Sequence, residues 1–253
     1  MIQRLFIKIN LIQQKYELFE EIIDLTLLKF KNVCMVVVKE KINYTIFKEF
    51  GPSVLKVKIP EIIVTSLNNH IDEIINNSEE SKKLNHGSHL VGDVTQEIKL
   101  ENDFIKRIGW ADFLAQASSQ WIQMTINQKI TKFDLMTSWV VRQFQNEYNP
   151  IHWHNGHISG AGFLKVPKSL GKHVQRGKLS KEYHGGNLQL VHGSKMFLSE
   201  SIISIRPEVG DFYFFPHYMM HQVLPFKNSN EERRSISFNA KIDEEIFDVF
   251  SRK

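Results

Sequence analysis

The sequence predicts an α+β protein, mainly β, whose strands close into an antiparallel sandwich or jelly roll with helices packed outside. Two apolar stripes at helical spacing precede residue 133, and after it the texture changes to short β-rich segments separated by Gly, Pro and Asn. No helical pattern separates those segments, which argues for antiparallel neighbours rather than a parallel α/β sheet. At 253 residues the chain is long enough for one large domain or two small ones. Its 42% hydrophobic and 24% charged content lies near the globular average and argues against disorder, collagen-like sequence and coiled coil.

The elements follow in order. Ile12, Phe19, Ile22 and Ile23 lie near helical spacing across 11–28, and Val33–Val38 reads as a strand; residues 1–45 are expected to be an N-terminal extension to a single domain over 46–253. Pro60 can open a helix, and Ile63, Leu67, Ile71 and Ile74 put its apolar residues on one face. Residues 76–93 are polar and rich in turn formers, so they read as a surface loop. A second helix is expected over 109–130, with Trp110, Phe113, Leu114, Ala117, Trp121 and Met124 as its stripe. Strands are then expected at Met136–Phe144, Ile158–Val166, Asn187–Val191, Ile202–Ile205, Phe212–Phe215 and Ser235–Ala240.

Charge and cysteine usage narrow the function classes. Thirty-two basic against 28 acidic residues leave a net charge of +4, too small an excess to indicate a nucleic-acid binder. The single cysteine, Cys34, allows no intrachain disulfide, and no run of about 20 apolar residues is present to cross a bilayer. Charges interrupt the first 21 residues too often for a signal peptide, so a cytoplasmic protein without a membrane partner is expected.

Histidines crowd the β-rich half. In Tyr148-Asn149-Pro150-Ile151-His152-Trp153-His154, an extended backbone turns His152 and His154 to one side, where one metal ion could take both; iron, zinc, copper and nickel all suit imidazole. A structural or surface role is the competing reading for such a pair. Further on, Pro207-Glu208-Val209-Gly210-Asp211 feeds an aromatic strand that Pro216 ends, just before His217 and His221. His221 is the better candidate for a distant ligand, and His217 for a neighbour at the mouth. In Glu232-Arg233-Arg234-Ser235-Ile236-Ser237-Phe238-Asn239, alternation puts Arg233, Ser235, Ser237 and Asn239 on one face, which would line the lumen of a barrel. A buried guanidinium there needs an anion, and its fork matches a carboxylate; a plain salt bridge at a strand start is the alternative.

Together, the HxH pair, PxxGDFYFFP, His221 and the Arg233-Arg234-Ser235 run, in that order, resemble the Fe(II)- and 2-oxoglutarate-dependent oxygenase superfamily. More closely, YNPIHWHNGHISGAGFLKVP, HGGNLQLVHGS and ERRSISFN are similar to a branch of such oxygenases common in marine bacteria and their phages. The resemblance covers about residues 50–242 and is most specific from Trp139 to Asn239. It implies a double-stranded β-helix with its core at about 135–240. His152, His154 and His221 would be catalytic ligands of Fe(II), and Arg233 with Ser235 would clamp 2-oxoglutarate. The reaction implied is hydroxylation of a C–H bond in a small-molecule or peptide substrate. The sequence departs from the superfamily at His154, since most members carry Asp or Glu there; a site that water or halide completes in place of His154 is the rival. A cupin-type metalloprotein acting without 2-oxoglutarate is the alternative function, and a metal-free barrel the third. The segment 168–184, with five Lys or Arg residues against Glu182, reads as a lid that favours an anionic or polar substrate, or else as solvated surface.

Overall fold

The computed structural model describes residues 17–21, 42–46, 51–173 and 182–249, and the chain falls into two units, 1–51 and 52–253. In the first unit, β1 (Glu17–Glu21) pairs antiparallel with β2 (Ile42–Ile46), Glu17 standing opposite Ile46. The helix expected over 11–28 is therefore corrected at 17–21, which is extended. Five residues sample too little of either period to separate helix from strand, and the β-branched and aromatic partner segment INYTI supplies a ladder. The rest of that expected helix and the expected strand Val33–Val38 lie outside the described residues.

The second unit is built on ten strands: β3 (Leu55–Lys58), β4 (Gln96–Lys99), β5 (Phe133–Gln143), β6 (Asn149–His152), β7 (Ile158–Lys165), β8 (Leu188–Val191), β9 (Ile202–Ile205), β10 (Asp211–Pro216), β11 (Met220–Val223) and β12 (Arg233–Ile242). They form a six-stranded sheet in the order β3-β10-β7-β12-β5-β4 and a four-stranded sheet in the order β6-β11-β8-β9, with every pairing antiparallel. The two sheets face each other across Phe163, Leu188, Leu190, Phe215 and Val223, which gives the expected jelly roll.

Helices cover the outer face of the larger sheet. In α1 (Glu61–Asn76) the buried residues are Ile63, Val64, Leu67, Ile71 and Ile74, and in α4 (Trp110–Ile126) they include Trp110, Leu114, Ala117 and Trp121. Both stripes join Ile98, Val140, Ile236, Phe212 and Phe238 in one core. Fully burying each such side chain stabilises the fold by roughly 1.5–3 kcal/mol. Trp110 also donates its indole N–H to Ser138 Oγ at 3.0 Å, and Ser138 in turn donates to the Ser237 carbonyl at 2.8 Å, which ties α4 to β5 and β12. Gly162 allows this packing, because a Cβ there would lie 2.3 Å from the Phe212 ring.

Three local expectations need correction. Helix α4 stops at Ile126 rather than 130 because Asn127 turns left-handed, at φ 54°, and caps onto the Gln123 carbonyl at 3.1 Å. Met124, counted with the apolar stripe, is exposed. The loop expected over 76–93 contains α2 (Ser78–Lys83) and a 3₁₀ turn at Gly87–His89. Helix α2 has no buried residue and hence no stripe to detect; Asn77 caps it by accepting from the Glu79 and Glu80 amides. Helices α3 (Asn102–Arg107) and α5 (Glu244–Phe247) complete the unit.

Candidate active site

Strand β12 organises the site by separating polarity between its faces. Ile236, Phe238 and Ala240 enter the helix-covered core, while Arg233, Ser235, Ser237 and Asn239 line a cavity of about 350 Å³ between the sheets. That volume is in the range of small-molecule sites. Register extends the pattern sideways. Glu97, Val141, Ser235 and Phe163 stand in one row across β4, β5, β12 and β7, and all four line the cavity.

Strand β6 ends at His152, which sits opposite His221 of β11 in the smaller sheet. His154 lies beyond the strand, and backbone bonds return it to the site: its N–H donates to the His217 carbonyl at 3.0 Å, and His217 Nδ1 lies 3.1 Å from the His154 carbonyl. His217 thus acts on the backbone at the mouth and stays out of the triad. The three ring centroids are 4.2–5.0 Å apart, and one nitrogen from each of His152, His154 and His221 lies within 4.8 Å of the others.

The tautomers suit a cation. His152 Nδ1 donates to the Pro150 carbonyl at 2.7 Å and His221 Nδ1 to the Met219 carbonyl at 2.8 Å, which leaves each Nε2 with a bare lone pair. His152 Nε2 and His154 Nε2 are 3.1 Å apart, near the spacing of two nitrogens bound at about 2.1 Å in adjacent positions of one metal ion. His154 Nδ1 is buried without a hydrogen-bond partner. Burial lowers the pKa of all three imidazoles, His221 to about 4, and their mutual repulsion adds to the effect at His154 and His221. Neutral imidazoles are the ligating form. The donor set therefore fits Fe(II) among the metals that imidazole suits.

At the other end of β12, Arg233 is fully enclosed. Its Nε donates to the Gly186 carbonyl at 3.0 Å, its Nη1 to Ser235 Oγ at 3.3 Å, and its guanidinium lies over the Phe163 ring at 5.1 Å. No carboxylate pairs with it among the described residues, and burial alone lowers its pKa to about 9. A cation–π contact offsets part of that desolvation, and an anion entering the cavity would offset more.

Glu97 did not stand out in the sequence. It is 2% exposed, lines the same cavity, and has an Oε2 without a partner. QEIK is a four-residue edge strand with no apolar alternation, so nothing local marks its acid as inward-facing. Of the expected lid, residues 174–181 lie outside the described residues; in the part before them, the Lys168 amide donates to Glu231 at 2.6 Å. Among the described residues no helix is long and apolar enough to cross a membrane.

Comparison with known proteins agrees with this geometry. Residues 137–239 match the family described as "Putative 2OG-Fe(II) oxygenase". No curated protein matches the chain. Among solved structures, a Pseudomonas putida prolyl-4-hydroxylase superposes with a TM-score of 0.51 at 13% identity, over 74% of this chain and 91% of that one, a likeness of fold. The viral collagen prolyl hydroxylase of Paramecium Bursaria Chlorella virus-1, in its 2OG complex, gives 0.45 at 16% identity over 74% and 94%. The epimerase SnoN of nogalamycin biosynthesis gives 0.49 at 14% identity over 74% and 76%. The segment 137–239, which holds the three histidines, Arg233 and Ser235, thus matches the model of the 2OG-Fe(II) oxygenases, oxidoreductases whose cofactors are Fe(II) and 2-oxoglutarate.

Proposed function

We propose that the chain is a dioxygenase that hydroxylates a C–H bond of a small molecule or peptide, with O2 and 2-oxoglutarate consumed and succinate and CO2 released. In this reading His152, His154 and His221 hold the iron, and Arg233 with Ser235 holds the far carboxylate of 2-oxoglutarate. The observation that carries it is Arg233: a buried guanidinium without a carboxylate partner among the described residues lines the cavity that also contains the triad. A cupin acting without 2-oxoglutarate would leave that charge uncompensated, so the geometry does not favour it.

Bound Fe(II) supplies O2 activation coupled to oxidative decarboxylation of the cosubstrate. The chain's own contribution is orientation and exclusion of water. Pro150 and Met219 carbonyls fix two imidazole tautomers, Ser235 fixes one arm of Arg233, and Phe163, Leu188 and Val141 wall the space between with apolar surface. Residues 46–253 would act as one oxygenase domain around a β-helix core at about 135–240, with 1–45 as an extension. A reducing cytoplasm suits both Fe(II) and the single cysteine.

The test is anaerobic reconstitution with Fe(II), followed by calorimetric titration of 2-oxoglutarate and a succinate-release screen over candidate substrates. Stoichiometric iron with saturable 2-oxoglutarate binding is expected. Metal content of His152→Ala, His154→Ala and His221→Ala then examines each ligand. All three should lose iron, retention in His154→Ala alone would favour a two-histidine site completed by water or halide, and equal iron in all three would mean the ligands are misassigned.

A further inference from the structure

Once Arg233 is assigned to the cosubstrate, one carboxyl group in the cavity is left without a counterpart. Glu97 projects inward from edge strand β4, two strands across from Ser235, which at 4.7–4.9 Å per strand is about 10 Å to the side of the Arg233 clamp. A second unpartnered acceptor stands beside it. Asn149 Oδ1, at the start of the strand that carries His152, is also buried without a hydrogen bond. Both side chains pack against Gly92: a Cβ placed there would lie 2.5 Å from Asn149 Oδ1 and 2.9 Å from Glu97 Oε1, the other oxygen of the same carboxyl. The backbone pairing of Asp93 with Tyr148 holds this glycine against β6. Gly92, Glu97 and Asn149 all line the cavity that contains the three histidines.

We propose that Glu97 and Asn149 form the substrate-recognition subsite and that it takes a cationic nitrogen group, an ammonium or guanidinium, on the molecule to be oxidised. This deepens the oxygenase reading and rests on it. Glu97 Oε2 and Asn149 Oδ1 are buried acceptors on residues that line one cavity, each needs a donor, and a group with several N–H bonds and a positive charge can supply both. An anionic group there would meet acceptors only. Burial holds the Glu97 carboxyl up to about 7, so a cation entering beside it also stabilises the ionised form. The basic segment 168–184 points to the opposite charge of substrate, and the two expectations separate cleanly in a binding measurement.

The probe is n-butylguanidinium, with n-butyrate and n-butanol as anionic and neutral controls, titrated by NMR into the full chain loaded with Mn(II) and 2-oxoglutarate without O2. Wild-type protein should bind the guanidinium at least tenfold more tightly than either control, and Glu97→Gln should lose that preference while its Mn(II) and 2-oxoglutarate affinities stay within twofold. Gly92→Ala, which puts a methyl group against both side chains, should cause the same loss and stands in if Glu97→Gln fails to fold. Equal binding of the three probes by wild-type protein, a preference for butyrate, or a guanidinium preference kept in both variants would overturn the proposal. Failure of 2-oxoglutarate to bind while the guanidinium preference holds would instead sink the oxygenase reading and leave the subsite standing.

Discussion

Arg234 places its guanidinium on the helix-covered face of β12, where it donates to Asp72 at 2.6 Å, to Glu232 at 2.7 Å and to both the carbonyl and side chain of Asn68 at 3.1 Å. Arg233, one residue earlier, points to the other face and has a carbonyl, a hydroxyl and an aromatic ring for company, with no acid among the described residues. Both are essentially without solvent exposure. Against the pull of burial, the hydrogen bonds to Glu232 and Asp72 raise the pKa of Arg234, whereas burial alone lowers that of Arg233. The pair separates a buried charge that the fold completes from one that it leaves open: burial is the same for both, and only the bookkeeping of counter-charges differs. Arg234 is completed by the fold, fastening α1 onto β12, while no acid among the described residues completes Arg233.

Replacing each arginine by methionine is the most direct way to break that contrast. Arg233→Met should weaken 2-oxoglutarate binding by about 2–5 kcal/mol, a loss of roughly 30-fold to several thousandfold. Its thermal stability should stay level or rise, because a desolvated, unpaired charge is exchanged for apolar volume. Calorimetry on the metal-loaded protein measures the first effect and a thermal melt the second. Unchanged 2-oxoglutarate affinity would remove the cosubstrate assignment, and a marked drop in Tm would make Arg233 a structural residue.

Arg234→Met should behave in the opposite way. Removing one member of a buried network leaves Glu232 and Asp72 facing each other, for which about 3–5 kcal/mol is usual; with Asp72 half-exposed and Glu232 still paired to Arg142 at 3.0 Å, about 3 kcal/mol is expected. Urea unfolding reads this loss, and 2-oxoglutarate affinity should change less than threefold. A large affinity loss in this variant would mean that the two faces are coupled and that the contrast overstates their independence.

What the sequence made legible follows the same division. The segment ERRSISFN is readable because its two faces differ in polarity, so alternation alone sets Arg233, Ser235, Ser237 and Asn239 against Ile236 and Phe238. The stripes of α1 and α4 are equally plain. Strands β4, β6 and β11 are four residues each and mix polar with apolar positions, so periodicity has nothing to hold, and the polar helix α2 has no stripe at all. Glu97 was hidden for a further reason: its significance comes from Asn149 and Gly92, 52 and 5 residues away, meeting it in space. His154 was found by spacing, but what turns it into the site is the backbone of His217, which no local pattern announces.

Glu97 extends the comparison to an acid without a counter-charge. Its pKa is raised from 4.5 to about 7 by burial, so between those values the folded state holds a proton that the unfolded state has lost. Stability should therefore fall as pH rises through that window, and the full penalty applies above it. At 1.36 kcal/mol per pKa unit the ceiling is about 3 kcal/mol, and with partial relaxation we expect about 2 kcal/mol. Glu97→Gln should unfold like the wild type at pH 4 and be the more stable protein at pH 8 by that amount. A pH-independent difference would show that the carboxyl is already compensated in the folded chain.

The smallest effect separates the two partners of the proposed clamp. Arg233 Nη1 donates to Ser235 Oγ at 3.3 Å, which occupies an acceptor site of the hydroxyl and leaves its own proton free to donate into the cavity. A carboxylate held by Arg233 would receive that proton, so Ser235→Ala removes one hydrogen bond to a bound anion and one brace on the guanidinium. With Arg233 still supplying the charge, the loss in 2-oxoglutarate affinity should be about 1 kcal/mol, roughly fivefold, with iron content unchanged. In the Arg233→Met background the same substitution should have almost no further effect, because the hydroxyl acts only on an anion that the guanidinium has drawn in. Full additivity of the two substitutions in a double-mutant cycle would mean that Ser235 and Arg233 do not meet one carboxylate, and the clamp would have to be redrawn around Arg233 alone.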